Sequence, residues 1–189
     1  MSLPSLRLSG AASWLRRLVV WKFGVRRVPL RAQHFELSLI SPIDESAGST
    51  SRDLIDLCLR AAQKAADVDL RGLHERSATA RRYLSIFPGE HYHLLAALVG
   101  CLNPQRVVEV GTYTGLSALT MLTTLDAGAK LITYDIIPWQ QIKGSALRSE
   151  DFAGGRLEQR IGNLADPALF ASNQDVIGEA DLIFVDGPK

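Results

Sequence analysis

The sequence predicts an α/β fold with a doubly wound, mainly parallel sheet and an N-terminal helical extension. The chain has 189 residues, 47% of them hydrophobic, which suffices for one buried core with an extension but not for two full domains. From about residue 103 onward, short apolar runs alternate with helical stretches. This alternation is typical of βαβ units, whose strands lie parallel in one sheet.

Three helices are predicted before the first strand. Residues 53–66 have an apolar face at helical spacing, and Ser51 is a suitable N-cap. A second helix is expected over about residues 75–84. A Pro-Gly pair at 88–89 then interrupts the chain before a third helix, 90–102, which carries an apolar stripe.

Strands and helices alternate in the rest of the chain. The predicted strands are short and bounded by turn residues, and they cover residues 106–110, 131–134, 157–161 and 182–185. The predicted helices between them cover residues 116–125 and about 139–148, and residues 167–172 form the beginning of a third. We therefore expect the four strands to form one parallel sheet.

The chain is predicted to divide into three parts: a basic N-terminal extension and linker over 1–50, a helical cap over 51–102, and the ligand-binding half of the sheet domain over 103–189. Residues 36–50 are interrupted by Ser, Pro and Gly, as in Ser-Pro at 41–42 and Ala-Gly-Ser at 47–49, which is typical of a linker. Residues 1–35 contain seven basic side chains and no acid. This arm fits three interpretations: a site for an anionic membrane or a partner protein, a targeting peptide, or a packed or disordered extension.

The overall composition excludes several classes of protein. The 21 Lys and Arg nearly balance the 20 Asp and Glu, so we expect no nucleic-acid partner. The two cysteines, Cys58 and Cys101, do not make a disulfide framework. The longest apolar run near the start, residues 18–21, is too short to span a membrane. A cytoplasmic protein follows, with any membrane contact peripheral and made through residues 1–35.

Polar residues and glycines stand where the predicted strands end. In a doubly wound sheet the ligand binds outside the carboxyl ends of the strands. Gly111 and Gly115 bracket the turn after the first strand, where a side chain would block the approach of a ligand. The helix that opens near Gly115 directs free N–H groups toward the same space, so the ligand should carry an anionic group.

The spacing of this turn distinguishes between two nucleotide-like ligands. Asp135 ends the second strand 24 residues after Gly111, where a carboxylate can accept both hydroxyls of a ribose. Dinucleotide sites need a second glycine for the pyrophosphate, but Tyr113 stands there. A two-glycine turn suits an amino-acid carboxylate, and Glu109 suits the ammonium and sulfonium groups of S-adenosylmethionine. A nicotinamide-dependent oxidoreductase remains as the less favoured alternative.

The run Glu-Val-Gly-Thr-Tyr-Thr-Gly-Leu-Ser at 109–117 resembles the first motif of class I, Rossmann-like methyltransferases. It is most similar to small-molecule O-methyltransferases of the catechol and caffeoyl-CoA type, and the resemblance covers about residues 85–189. It implies that the methionine moiety of S-adenosylmethionine is bound by Glu109, Gly111, Tyr113, Thr114, Gly115 and Ser117. It also implies Asp135 on the ribose and Asn163 near the adenine edge, where the family usually has Asp.

Asp186 ends the fourth strand, at the position where metal-dependent members of the resembled family place a first carboxylate ligand. The second acid of their motif is missing here, because Gly187 and Pro188 follow. Since a hard cation such as Mg²⁺ needs several oxygen ligands, metal dependence stays open. Asp186 can instead contact the substrate or act as a general base, and the resemblance implies Lys189 as its partner in proton transfer.

The resembled fold has seven strands, of which four precede the end of the sequence. We therefore expect the fold to be truncated after the fourth strand. Either the sequence is a fragment of a longer enzyme, or the missing half of the fold is supplied from outside this chain. The predicted activity is O-methylation of a small-molecule or glycan-like acceptor. The sequence does not determine the oligomeric state, and a homo-oligomer is one of the possibilities. The alternative is a non-catalytic methyltransferase fold that serves as a binding or scaffolding protein.

Overall fold

A parallel sheet of four strands lies at the centre of the structure, a computed structural model that describes residues 52–85 and 90–186. The strands are β1 (Arg106–Val110), β2 (Lys130–Asp135), β3 (Leu157–Ile161) and β4 (Leu182–Val185). Their order is β3-β2-β1-β4, and all neighbours run parallel. The predictions for the basic arm, the linker, the Ser51 cap and Lys189 lie outside the described residues.

Seven α-helices and one 3₁₀ helix, Trp139–Gln141, are described with the sheet. The α-helices are α1 (Arg52–Ala65), α2 (Arg71–His74), α3 (Ala78–Leu84), α4 (Glu90–Leu102), α5 (Leu116–Leu122), α6 (Glu150–Ala153) and α7 (Pro167–Gly178). Helix α4 has the predicted bounds, and α1 differs from the prediction by one residue at each end. The helix expected over 75–84 is shorter, because Ser77 caps α3 by accepting a hydrogen bond from the Ala80 N–H.

Helices cover both faces of the sheet. On one face, Val107 and Leu131 pack in a core that also contains residues of α4 and α5, such as Val99 and Leu119. On the other face, Val108, Ile132 and Tyr134 pack against Val176 and Ile177 of α7. A parallel sheet buried on both faces is the doubly wound arrangement, so the predicted fold class is confirmed.

The first of these cores also joins the helices before β1 to the sheet. Leu73 of α2 and Leu84 of α3 are buried in the same cluster as Val107 and Leu131. Helix α1 packs on α4 through the buried Ala61. Residues 52–85 and 90–186 accordingly belong to one compact unit.

The helix predicted over 139–148 is wrong beyond its first turn. Only the 3₁₀ helix Trp139–Gln141 forms, and Gly144 then takes a φ of 79°. The backbone N–H of Ala146 donates to the carbonyl of Thr114 at 2.8 Å, across 32 residues of chain. This segment therefore lies against the turn after β1. The Ser145 N–H still donates to the Ile142 carbonyl, but the Ala146 N–H bonds to Thr114 and so does not continue the helix.

No helix among residues 52–85 and 90–186 is both long enough and apolar enough to cross a membrane. The longest, α1, has 14 residues, several of them charged. A span of the hydrocarbon core takes about 20 apolar residues.

Candidate functional site

The turn between β1 and α5, residues 111–115, has a backbone that only certain residues adopt easily. Gly111, Tyr113 and Gly115 have φ angles of 107°, 42° and 74°. The N–H groups of Gly111 and Thr112 both donate to the carbonyl of Tyr134, at 2.8 and 3.2 Å. The β1–α5 turn is thus bonded to β2 at its start, and its strained conformation is held by the core beneath it.

Gly115 is required for a reason that differs from the one expected. A Cβ atom at this position would lie 2.2 Å from Cγ of the buried Leu147. The sequence suggested that a side chain here would block a ligand, whereas in the structure it would first collide with the segment that lies against the turn. The positive φ favours glycine as well.

Asp135 lies beside the β1–α5 turn, at the carboxyl end of β2. Its Oδ2 accepts a hydrogen bond from the Tyr113 N–H at 2.7 Å, and its Oδ1 accepts one from the Ile137 N–H at 3.1 Å. A carboxylate has about four acceptor positions, so positions for two hydroxyl donors remain. The structure therefore brings together the turn and the acid that the sequence analysis paired, and the arrangement fits a ribose.

Glu109 is fully buried beneath the turn, on the face of the sheet covered by α4 and α5. Its Oε1 accepts a hydrogen bond from Ser117 Oγ at 2.5 Å, and its Oε2 accepts one from Thr133 Oγ1 at 2.6 Å. Burial raises the pKa of this carboxyl to about 7, the two hydroxyl donors oppose the rise, and the charges of Asp186 and Asp135 add to it. A positive ligand nearby would favour its ionised form.

Thr133 and Thr112 belong to this site, although the sequence analysis missed both. Their hydroxyl oxygens lie 2.7 Å apart, and both residues are buried. Thr133 is also the register partner of Glu109 in the β1–β2 pair. A threonine inside the apolar run of β2 was the signal in the sequence, but its partner became clear only from the register.

Three tyrosines lie near the same strand ends. Tyr113 is 56% exposed, and a side-chain hydrogen bond with it raises the pKa of Tyr83. Burial raises the pKa of Tyr92 to about 12, and the charges of Asp186, Tyr83 and Glu109 add to this shift. Helices α3 and α4 thus contribute phenol groups next to the β1–α5 turn.

The remaining predicted residues take different positions. Asp186 is exposed directly after β4, and its N–H donates to the Val110 carbonyl at 2.9 Å. Asn163 is exposed after β3, where its Oδ1 accepts from the Ala165 N–H at 2.9 Å. The Thr114 side chain is buried. Their contacts with a ligand stay predictions.

The described residues assemble no metal centre. Among residues 52–85 and 90–186, no group of three or more His, Cys, Asp or Glu side chains could hold a metal ion. The assignment of Mg²⁺ to Asp186 therefore stays a prediction.

A cavity of about 290 Å³ lies elsewhere, beside α2. Its lining residues are Val68, Asp69, Leu70, Arg71, His74 and His93. The Asp69 carboxylate and the Arg71 guanidinium form an exposed ion pair at 2.6 Å. Since the strand ends hold the converging polar groups, we place the functional site there and not in this cavity.

Comparison with known proteins identifies the family. Residues 64–189, two thirds of the chain, match the family model described as O-methyltransferase. The chain belongs to this O-methyltransferase family. Comparison with curated proteins gave no match.

Three solved structures are similar to the chain. An O-methyltransferase from Bacillus cereus, in complex with SAH, is 19% identical with a TM-score of 0.42, over 77% of this chain and 58% of that one. TomG from Streptomyces achromogenes, an O-methyltransferase of tomaymycin synthesis in complex with SAM, is 21% identical with a TM-score of 0.43, over 64% and 55%. PaMTH1, a SAH-bound methyltransferase from Podospora anserina, is 16% identical with a TM-score of 0.42, over 98% and 62%. The chain thus spans 55–62% of the length of these three structures.

Proposed function

We propose that the protein transfers a methyl group from S-adenosylmethionine to an oxygen of a small-molecule acceptor. The observation that carries this proposal is the hydrogen bond of 2.7 Å between the Asp135 carboxylate and the Tyr113 N–H. It joins the predicted ribose acceptor to the turn with glycines at 111 and 115. Membership of the O-methyltransferase family supports the same assignment.

The residues of the site fit the parts of this cofactor. Asp135 would accept the ribose hydroxyls with its remaining acceptor positions. The backbone of the β1–α5 turn and Ser117 would hold the methionine part, with the buried charge of Glu109 beneath it. Asn163, at the end of β3, would lie at the adenine edge.

The bound cofactor would supply an activated methyl group on its sulfonium. The chain's own task would then be to hold the acceptor oxygen in line and to assist its deprotonation. Asp186 is exposed at the same strand ends and lies close enough to affect the pKa of Tyr92. We propose Asp186 as the residue that faces the acceptor, either as a general base or as a metal ligand, with Lys189 as a second candidate in proton transfer.

Calorimetric titration of the full-length protein with S-adenosylmethionine and with NAD tests the cofactor assignment. We expect S-adenosylmethionine to bind and NAD not to bind. The Asp135→Ala variant should lose about 100-fold in affinity, since it removes charge-assisted hydrogen bonds to two hydroxyls. Asp166→Ala is the matched control, because this acid also follows a strand but caps α7.

Absence of binding, or tighter binding of NAD, would contradict the cofactor assignment. Transfer of labelled methyl from the cofactor to a panel of phenol, catechol and sugar acceptors tests the enzymatic part of the proposal. A full-length protein that binds the cofactor but methylates no acceptor would support a binding or scaffolding protein.

A further inference from the structure

The buried hydroxyl of Thr133 connects the β1–α5 turn to the Glu109 carboxylate. It donates to Glu109 Oε2 at 2.6 Å and lies 2.7 Å from the hydroxyl of Thr112. A threonine hydroxyl has one hydrogen to donate. The oxygens of the ionised Glu109 carboxylate only accept, so in that form Thr133 donates to Glu109 and Thr112 donates to Thr133. The hydrogen bonds then run in one direction from the turn to the carboxylate.

We infer that Thr133 is a positioning residue of the proposed cofactor site, fixing the orientation of the Glu109 carboxylate and tying it to the turn at Thr112. This inference rests on the proposed function. Thr133, Thr112 and Glu109 are each no more than 1% exposed, so solvent does not supply substitute donors. Ser117, from α5, is the other donor to the same carboxylate, at 2.5 Å.

The expected effect of losing the Thr133 hydroxyl follows from its hydrogen bond to the negative charge of Glu109. Valine at 133 would keep the branched shape and the strand preference but would leave Glu109 Oε2 and the Thr112 hydroxyl without their shared partner. A buried carboxyl with fewer donors is harder to ionise. Its attraction for the ammonium of an amino-acid ligand is then weaker, because the attraction acts through a medium of low polarity.

Thr120 provides a matched control for the removal of a buried hydroxyl. It lies in α5 and is 0% exposed, like Thr133. Its hydroxyl has no hydrogen-bond partner among the residues that the structure describes. Thr120→Val therefore removes a buried hydroxyl without breaking a hydrogen bond.

The experiment compares three ligands by calorimetry: S-adenosylmethionine, S-adenosylhomocysteine and 5′-methylthioadenosine. The first two carry the ammonium, and the third lacks the amino-acid part. Thr133→Val should lower the affinity for the first two ligands by about tenfold and the affinity for the third by less than about twofold. Thr133→Ser should restore affinity to within about threefold, and Thr120→Val should leave all three affinities unchanged.

An equal loss for all three ligands, no rescue by serine, or equal behaviour of Thr133→Val and Thr120→Val would overturn the inference. If the wild-type protein binds none of the ligands, the proposed function fails. Hydrogen exchange of the free protein then tests the structural part of the inference, that Thr133 links the turn to Glu109. The Tyr113 N–H should then exchange at least about tenfold faster in Thr133→Val than in Thr120→Val, because the turn loses the side-chain bond from Thr112 to β2 and keeps only its backbone bonds to that strand. Equal exchange rates would also overturn it.

Discussion

The turn after β1 and the turn after β3 stand at the same edge of the sheet but are built differently. In the β1–α5 turn, hydrogen bonds reach distant parts of the chain: the Tyr113 N–H bonds to Asp135, and the Thr114 carbonyl bonds to Ala146. In the β3–α7 turn, residues 162–166, Asn163 bonds to residues only two and three positions further on.

The difference separates a preformed site from a local connection. The polar groups around the β1–α5 turn are held by the core, so a ligand there would meet donors and acceptors already in place. In the β3–α7 turn the Gly162 N–H donates to the Asp135 carbonyl, but Asn163 bonds only to nearby residues, and Asp166 serves mainly as the N-cap of α7. Substitutions in the first turn should therefore affect stability and binding together. In the second turn, apart from Gly162 and the proposed cofactor residue Asn163, they should affect stability only slightly.

The largest effect is expected for Gly115→Ala. The new methyl group would lie 2.2 Å from Leu147 Cγ at a φ of 74°. Strain and overpacking together should lower the free energy of unfolding by about 4 kcal/mol, measured by urea denaturation. Gly155→Ala is the control, because it has a similar φ of 69° with no described atom within 4 Å of the new Cβ. It should cost about 1 kcal/mol.

A double-mutant cycle separates the collision from the backbone strain. If Leu147 causes the extra cost, Gly115→Ala should be less damaging in a Leu147→Ala background by at least about 1 kcal/mol. Equal costs in both backgrounds would show that the β1–α5 turn does not depend on the segment that lies against it.

Glu109→Gln should give a pH-dependent gain in stability. The pKa of Glu109 is raised from 4.5 to about 7 in the folded protein, so the folded state holds the proton more tightly than the unfolded state. The bound proton of Glu109 therefore stabilises the wild-type fold. This contribution is complete below about pH 4.5 and is lost as the pH rises through 7. Glutamine cannot ionise, so the free energy of unfolding of the variant relative to wild type should increase by about 2 kcal/mol from pH 5 to pH 8.

Urea denaturation at several pH values measures this difference. Glu150→Gln, which removes an exposed carboxyl from α6, is the control for the loss of a carboxyl that the core does not bury. If the difference in free energy of unfolding between Glu109→Gln and wild type did not change with pH, Glu109 would ionise as easily in the folded chain as in the unfolded one. The buried hydroxyl donors would then compensate fully for burial.

The smallest effect is expected in the β3–α7 turn. Asp166→Ala removes the bond of 2.9 Å from the Ala168 N–H and should lower the free energy of unfolding by about 1 kcal/mol. Cofactor affinity should stay within about twofold of wild type, because the lost bond lies within α7 and its cap. A large loss of affinity would remove the contrast between the two turns.

The sequence by itself determined the fold class, the bounds of β1 and α4, and the pairing of the β1–α5 turn with Asp135. These features depend on apolar periodicity and on residues such as Gly111, whose conformational preferences are local. The same reasoning failed over residues 142–148, where helical composition was overridden by a hydrogen bond from Ala146 to the distant Thr114.

Only the tertiary structure decided how the site is supported. The register of β1 and β2 places Thr133 opposite Glu109, and the packing of Leu147 requires glycine at 115. Neither contact has a sequence signal of its own, because each depends on the positions of two segments more than 20 residues apart. Side-chain hydrogen bonds across strands and close packing between loops are set when the chain folds, whereas strand and helix preferences are already present in the local sequence.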